Sequence, residues 1–295
     1  MVWRRACEGH SRNRCPEVAC LFLHRQDVEA CQMSAAVRRI VTNLIIGAIQ
    51  KSGLKQSEQV IAKDAQRYWE NANQNNFRSN SHWRGDQGLE DEIWFELGKS
   101  HLSLLQEHLK AAGRSKPLDR VLEWGCGGGA NAVHFARIAS EYVGVEVSQD
   151  SLVECRKALD EIGYHGFIPV QIDVSDPEKA GDGLEATCDV FLCTYVFELI
   201  PSPEYGERLL KIALRLLRPG GIGLIQIKYE TLASNTRGHR WSYRRNLANM
   251  TTYPIDRFWQ LTEELGFIPK SVVLRPTDRL VKDERYAYFI VEKPK

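Results

Sequence analysis

The chain of 295 residues has no apolar run long enough to cross a membrane. Its longest runs, Val18 to Leu23 and Leu44 to Ile49, fall far short of the roughly 20 residues a spanning helix needs. It also lacks an excess of one charge. Thirty-nine Lys and Arg stand against 38 Asp and Glu, a net +1, so no global field recruits nucleic acid or an anionic membrane surface. There is no Cys-x-x-Cys pair and no evenly spaced disulfide framework among the eight cysteines, so a reducing, cytoplasmic setting is expected. The arginines near the start are not followed by an apolar stretch of signal-peptide length. Internal repeats and low-complexity tracts are absent. What remains is an ordinary globular composition, 43% hydrophobic and 26% charged, in a chain long enough to bury a sizeable core.

Three regions differ in rhythm. Residues 1 to 32 mix Arg, Cys and His without a helical or strand period and are expected to be a disordered extension. Cys7, His10, Cys15, Cys20, His24 and Cys31 could be grouped as a metal cluster. Without a close cysteine pair the grouping is weak, and no metal is expected. Met33-Ser34 would make a natural start, since Ser34 can cap a following helix. Residues 33 to 116 read as a helical cover. Val37, Ile40, Val41, Leu44, Ile45 and Ile49 form one apolar stripe, a second helix is predicted from Glu58 to Glu70 behind Ser57, and a third from about Leu89 to Ala112, closed by Gly113. The polar stretch Asn71 to Gln87 reads as a loop carrying Phe77, His82, Trp83 and Arg84.

From residue 117 to the end, strands alternate with single helices, which implies parallel pairing in a doubly wound α/β sheet. Strands are predicted at Val121–Trp124, Tyr142–Val147, Ile168–Ile172, Val190–Thr194 and Ile222–Ile227, with Pro219-Gly220-Gly221 as a sharp turn before the fifth. A helix from Asp256 to Leu265 and a hairpin of Ser271–Leu274 with Tyr286–Val291 close the chain. The irregular segment Glu230 to Ile255 is long enough to suggest a functional role.

The most informative stretch is Val121-Leu122-Glu123-Trp124-Gly125-Cys126-Gly127-Gly128-Gly129-Ala130. A buried strand ends, an acid appears, and glycines lead into a helix. Glycine permits the tight turn and lets a ligand approach bare backbone at the carboxyl ends of the strands. Gly125-x-Gly127-x-x-Ala130 fits the loose dinucleotide fingerprint, with Glu146 in range of a ribose. A nicotinamide-type oxidoreductase is therefore one reading. Against it, Glu123 at the strand end would repel a pyrophosphate placed at the helix terminus, whereas it suits a ligand carrying ammonium and sulfonium charge.

From Leu118 to Pro294 the sequence resembles the class I S-adenosylmethionine-dependent methyltransferases. Glu123-x-Gly125-x-Gly127-x-Gly129 is similar to their first motif, and Glu146 matches the acid that takes both ribose hydroxyls. Asp173, followed by Val174, matches the residue beside the adenine, and Cys193-Thr194-Tyr195 the segment passing near the reactive methyl. Leu216 to Gly221 resembles the turn before their fifth strand. The resemblance implies a Rossmann-like seven-stranded sheet of order 3-2-1-4-5-7-6 with the last strand antiparallel, and S-adenosyl-L-methionine as cofactor. It implies a methyl acceptor too, expected here to be a small molecule methylated on oxygen or nitrogen, since no nucleic-acid module or Asn-Pro-Pro-Tyr type motif is present. A methyltransferase-like binding protein without activity is the other alternative.

Candidate acceptor-side residues are Tyr195 and Glu198 after the fourth strand and His239 in the long segment, the last for its intrinsic basicity. Tyr68 to Arg84 is expected to close as a lid, with Glu230 to Ile255 as the opposite wall. Arg84, Arg237, Arg240, Arg244 and Arg245 are candidates to hold an anionic group.

Overall fold

A computed structural model describes residues 55–114 and 116–295. The cysteine–histidine grouping, the expected extension over residues 1 to 32 and the stripe from Val37 to Ile49 lie outside the described residues. Among the described residues no helix is long and apolar enough to cross a membrane.

The cover begins with α1 (Glu58–Trp69). The Ser57 side chain accepts from the Val60 amide at its start, and Ile61, Ala62, Ala65 and Tyr68 fall on one buried face. The expected loop that follows contains one short helical turn, α2 (Phe77–Asn80). Then α3 (Asp91–Ala111) buries Trp94, Leu97, His101 and Leu105, the spacing of a single stripe.

Seven strands follow: β1 (Leu118–Trp124), β2 (Ala139–Glu146), β3 (Phe167–Gln171), β4 (Cys188–Cys193), β5 (Leu217–Lys228), β6 (Ile268–Asp278) and β7 (Asp283–Glu292). They form one sheet in the order β3-β2-β1-β4-β5-β7-β6. The first five pair in parallel, and β7 runs antiparallel between β5 and β6. This is the order and polarity implied by the family resemblance. Between the strands lie α4 (Ala132–Phe135), α5 (Gln149–Glu161), α6 (Pro203–Leu216) and α7 (Ile255–Glu264).

Two apolar layers cover the two faces. On one, α3, α4 and α5 pack Trp94, Leu97, Phe135, Leu152 and Leu159 against Val121, Val190 and Leu224. On the other, α1, α6 and α7 pack Ile61, Leu209, Leu210 and Phe258 against Leu122, Phe191 and Ile225. Each large aliphatic or aromatic side chain so buried contributes about 1.5–3 kcal/mol against exposure.

Two local expectations need correction. The helix after the glycines starts at Ala132 rather than Ala130 and gives way to a 3-10 turn at Ala136–Ile138, because β2 begins at Ala139. Pro219-Gly220-Gly221 is not a turn before β5 but a kink inside it. There the register with β4 shifts, and the Gly220 amide bonds to the Lys293 carbonyl.

Candidate active site

The glycine loop is tied down by its own backbone. Gly125 and Cys126 amides both donate to the Val145 carbonyl, and the Gly129 amide donates to Cys126. The Gly127 amide donates to Glu146 Oε2 at 3.0 Å, and the Gly128 amide to the Ser81 carbonyl at 2.8 Å. Five successive N–H groups are thus spent inside the protein. A pyrophosphate needs such groups free at the start of a helix of useful length, and α4 has only four residues. This geometry disfavours the dinucleotide reading.

The expectation that the glycines expose bare backbone to a ligand is corrected as well. A Cβ on Gly127 would stand 2.2 Å from the Ser81 carbonyl oxygen, and one on Gly128 would stand 2.6 Å from Trp83 Cα. Gly125 faces Val196 and Gly129 backs onto Cys155. Glycine is required here because the cover descends onto the loop.

Beside the loop opens a cleft of about 850 Å³, counting the space at its mouth. Glu123, Gly125, Gly127, Glu146, Val174 and Thr194 line it, together with Tyr195. Glu146 sits at the end of β2 with Oε1 accepting from the Val147 amide at 2.7 Å. Burial raises its carboxyl above the usual range while its backbone donors oppose the shift. Oε1 also accepts from the Ser148 amide at 3.3 Å, so the lone-pair capacity left for a further donor is on Oε2. Glu123 is only 1% exposed. It accepts from the Tyr142 hydroxyl and from Asn131 Nδ2, and burial holds its carboxyl up at about 7. Asn131 also donates to Thr194 Oγ1 at 3.1 Å, so its carbonyl oxygen is left for His101 Nδ1 at 2.8 Å. His101 Nδ1 must then carry the proton, and Nε2 accepts from Tyr288. This network links the cover to the cleft floor.

Asp173 is not brought into the cleft. Its carboxylate accepts from the Ser175 amide and hydroxyl at 2.7 and 2.6 Å, which lowers its pKa and caps its own turn. Val174 and Ile172, on either side, line the cleft instead.

A second chamber, about 1150 Å³ with its mouth, adjoins the first. Trp69, Asn80, His82, Tyr195 and Leu199 line both. Tyr195 has φ +56°, uncommon for a bulky residue. It is held there by Gln226 on its amide and Asp278 on its hydroxyl. Its ring meets His82 edge-on at 4.9 Å, and burial keeps its hydroxyl protonated. Desolvation lowers the His82 pKa to about 4, so that imidazole is neutral near pH 7. Glu198 lines the second chamber, and burial raises its carboxyl to about 7, with Lys228 partly opposing.

Of the three candidate catalytic residues, the structure therefore brings Tyr195 and Glu198 to the chambers and leaves His239 outside both. The His239 amide bonds to the Asn249 carbonyl, and burial with Arg285 nearby lowers the imidazole pKa. The expected lid residues are corrected too. Trp83 donates to Ser151 Oγ, and Arg84 pairs with Asp91 and Glu161, so both pack the cover down. From the opposite segment Tyr243 lines the cleft and accepts from Trp69 Nε1 at 2.8 Å. No arginine lines either chamber among the described residues, so the expected arginine recognition of an anion finds no site there. Sequence reasoning gives no role to Asn80 and His82, which lie in a polar stretch without periodicity, or to Asn131, which stands between Ala130 and Ala132. Their one sequence signal is adjacency, His82 to Trp83 and Asn131 to the glycine loop.

Residues 99–270 match the model of the methyltransferase domain family. The "Probable methyltransferase ltbC" of Aspergillus luteorubrus is 31% identical over 112 residues, 36% of this chain and 39% of that protein. A ubiquinone biosynthesis O-methyltransferase of Burkholderia vietnamiensis is 23% identical over 197 residues, 65% of this chain and 78% of that one. Among solved structures, the (4+2)-cyclase SpnF superposes with a TM-score of 0.53 at 17% identity, covering 81% of this chain and 97% of its own. That likeness concerns the fold alone. The family match over more than half the chain, with the strand order and the acid-and-glycine cleft, identifies it: the chain belongs to the class I methyltransferases, whose methyl donor is S-adenosyl-L-methionine.

Proposed function

We propose that the protein methylates an oxygen or nitrogen of a small-molecule acceptor, with cofactor in the glycine-loop cleft and acceptor in the adjoining chamber. The observation that carries this reading is the shared wall: Trp69, Asn80, His82, Tyr195 and Leu199 face both spaces. A donor and an acceptor held on either side of one wall meet without a large motion.

The residues of the cleft fit the cofactor. Its acids, Glu123 and Glu146, with no lysine or arginine in its lining among the described residues, suit a ligand bearing ammonium and sulfonium charge. Glu146 would accept from a ribose hydroxyl on Oε2, which has the Gly127 amide as its one donor among the described residues. Ile172 and Val174 would flank the adenine, and Glu123, Asn131 and Thr194 would face the methionine end. The bound cofactor supplies an already activated methyl group. The chain then has mainly to orient and to exclude water, and orientation alone can contribute on the order of 7–11 kcal/mol. Tyr195 and His82, both uncharged, orient the acceptor through their ring faces and edges. Glu198, with a carboxyl near 7, is the group best matched to receive a proton at neutral pH.

The test is a small-molecule acceptor panel with release of S-adenosylhomocysteine as readout. Turnover that disappears in Glu198→Gln, a residue of the second chamber alone, while cofactor affinity is kept supports the reading. The alternative, a protein that binds the cofactor without methyl transfer, is the other outcome of this test: cofactor binding with no S-adenosylhomocysteine released with any acceptor.

A further inference from the structure

Glu198 is 2% exposed and lines the second chamber, and among the described residues its Oε2 has no hydrogen-bond partner. A buried polar atom left unpaired costs about 1–3 kcal/mol, more if charged. Such an atom at a ligand chamber points to a donor that arrives with the ligand. The nearby cation does not fill the gap. Lys228 Nζ is held by both oxygens of Asp283, at 2.6 and 2.8 Å, and the Tyr286 hydroxyl donates to Asp283 Oδ2.

The rest of the lining sets the sign of that donor. With Asp283 neutralised by Lys228, the lining leaves Glu90 and Glu198 against Lys282, and among the described residues no arginine lines the chamber. Trp69, Tyr195 and Tyr286 add aromatic rings, which attract a cation at their faces. An anionic acceptor would meet carboxylates, and a plain hydroxyl would leave the aromatic and acidic field unused.

We infer that the second chamber is a subsite for an organic amine, whose ammonium donates to Glu198. This rests on the acceptor assignment above and sharpens it to nitrogen. An ammonium has no lone pair to react. One proton must pass to the Glu198 carboxylate, giving the free amine and the neutral carboxylic acid, with total charge unchanged. Glu198 then serves as both anchor and proton acceptor.

The test is isothermal titration of protein saturated with S-adenosylhomocysteine, using benzylamine, benzyl alcohol and benzoate as probes of similar shape, followed by a wider set of primary amines. The amine should bind at least tenfold more tightly than the alcohol, and benzoate should give no saturable heat. Glu198→Gln should bring the amine down to the alcohol's level while S-adenosylhomocysteine affinity is unchanged. Equal binding of amine and alcohol by the wild type, an amine preference that survives Glu198→Gln, or no saturable heat from any amine overturns the inference. If the variant loses its fold, the wild-type ranking still decides. Failure of the wild type to bind S-adenosylhomocysteine at all would instead remove the cofactor reading beneath it.

Discussion

The two adjoining chambers are built on opposite plans. In the cofactor cleft the backbone closes on itself: five consecutive amides of the glycine loop are satisfied, and the bare faces of Gly127 and Gly128 are filled by Ser81 and Trp83. In the acceptor chamber a carboxylate oxygen lacks a partner, and a tyrosine is held at positive φ. The first is a finished mould for one constant ligand. The second is left incomplete, and under the proposed function the missing partner comes with the acceptor.

The comparison can be broken most severely at Gly127. In Gly127→Ala the new methyl would meet the Ser81 carbonyl at 2.2 Å from a residue at φ +49°. The expected loss is about 2–4 kcal/mol, from overpacking together with left-handed strain. Thermal melts should fall by several degrees, and an unchanged melting temperature would mean the cover does not sit on the loop. Next comes Glu146→Ala, which removes the proposed ribose acceptor and should weaken cofactor binding by roughly 2–4 kcal/mol, read by titration calorimetry. The melting temperature should fall less than in Gly127→Ala, because water can reach the freed amides from the cleft.

A smaller effect comes from pH. Burial raises Glu123 to about 7, and hydrogen bonds from Tyr142 and Asn131 oppose that shift. A cationic ligand beside it favours the charged form, so binding should release a proton below pH 7. Cofactor affinity should therefore rise with pH between about 5.5 and 7, by at most about tenfold per unit, and level off above. Flat affinity across that window would place the cationic end of the ligand away from Glu123. The smallest effect is expected for Arg84→Ala. It removes two surface ion pairs, a change of about 0–1 kcal/mol in stability. Cofactor affinity and turnover should be unchanged, and a tenfold loss of turnover would return Arg84 to the acceptor site.

The same contrast governs what could be read from sequence. The cofactor side is local: Glu123 to Ala130 are contiguous, and Glu146 and Thr194 end or follow strands, where the family resemblance located them. Asp173 also follows a strand, but it stands outside the cleft lining with Oδ1 bonded to Ser175, and strand position alone could not show that. The acceptor chamber draws on Asn80 and His82 from the cover, Tyr195 and Glu198 after β4, Leu247 from the long segment and Asp283 from the last strand. No spacing rule joins segments so far apart. His239 attracted notice through its chemistry, yet its place depends on how residues 230 to 255 pack. Those residues fold into three short 3-10 turns that turn Tyr243, not His239, to the cleft.

A glycine-loop cleft shaped for S-adenosylmethionine and not for a dinucleotide distinguishes the two ligands in calorimetric titration of the wild type and Glu146→Ala with S-adenosylhomocysteine and with NAD. One saturable site is expected for S-adenosylhomocysteine, weakened at least thirtyfold by the substitution, and no saturable heat with NAD. Saturable NAD binding abolished by Glu146→Ala, with none for S-adenosylhomocysteine, would contradict it.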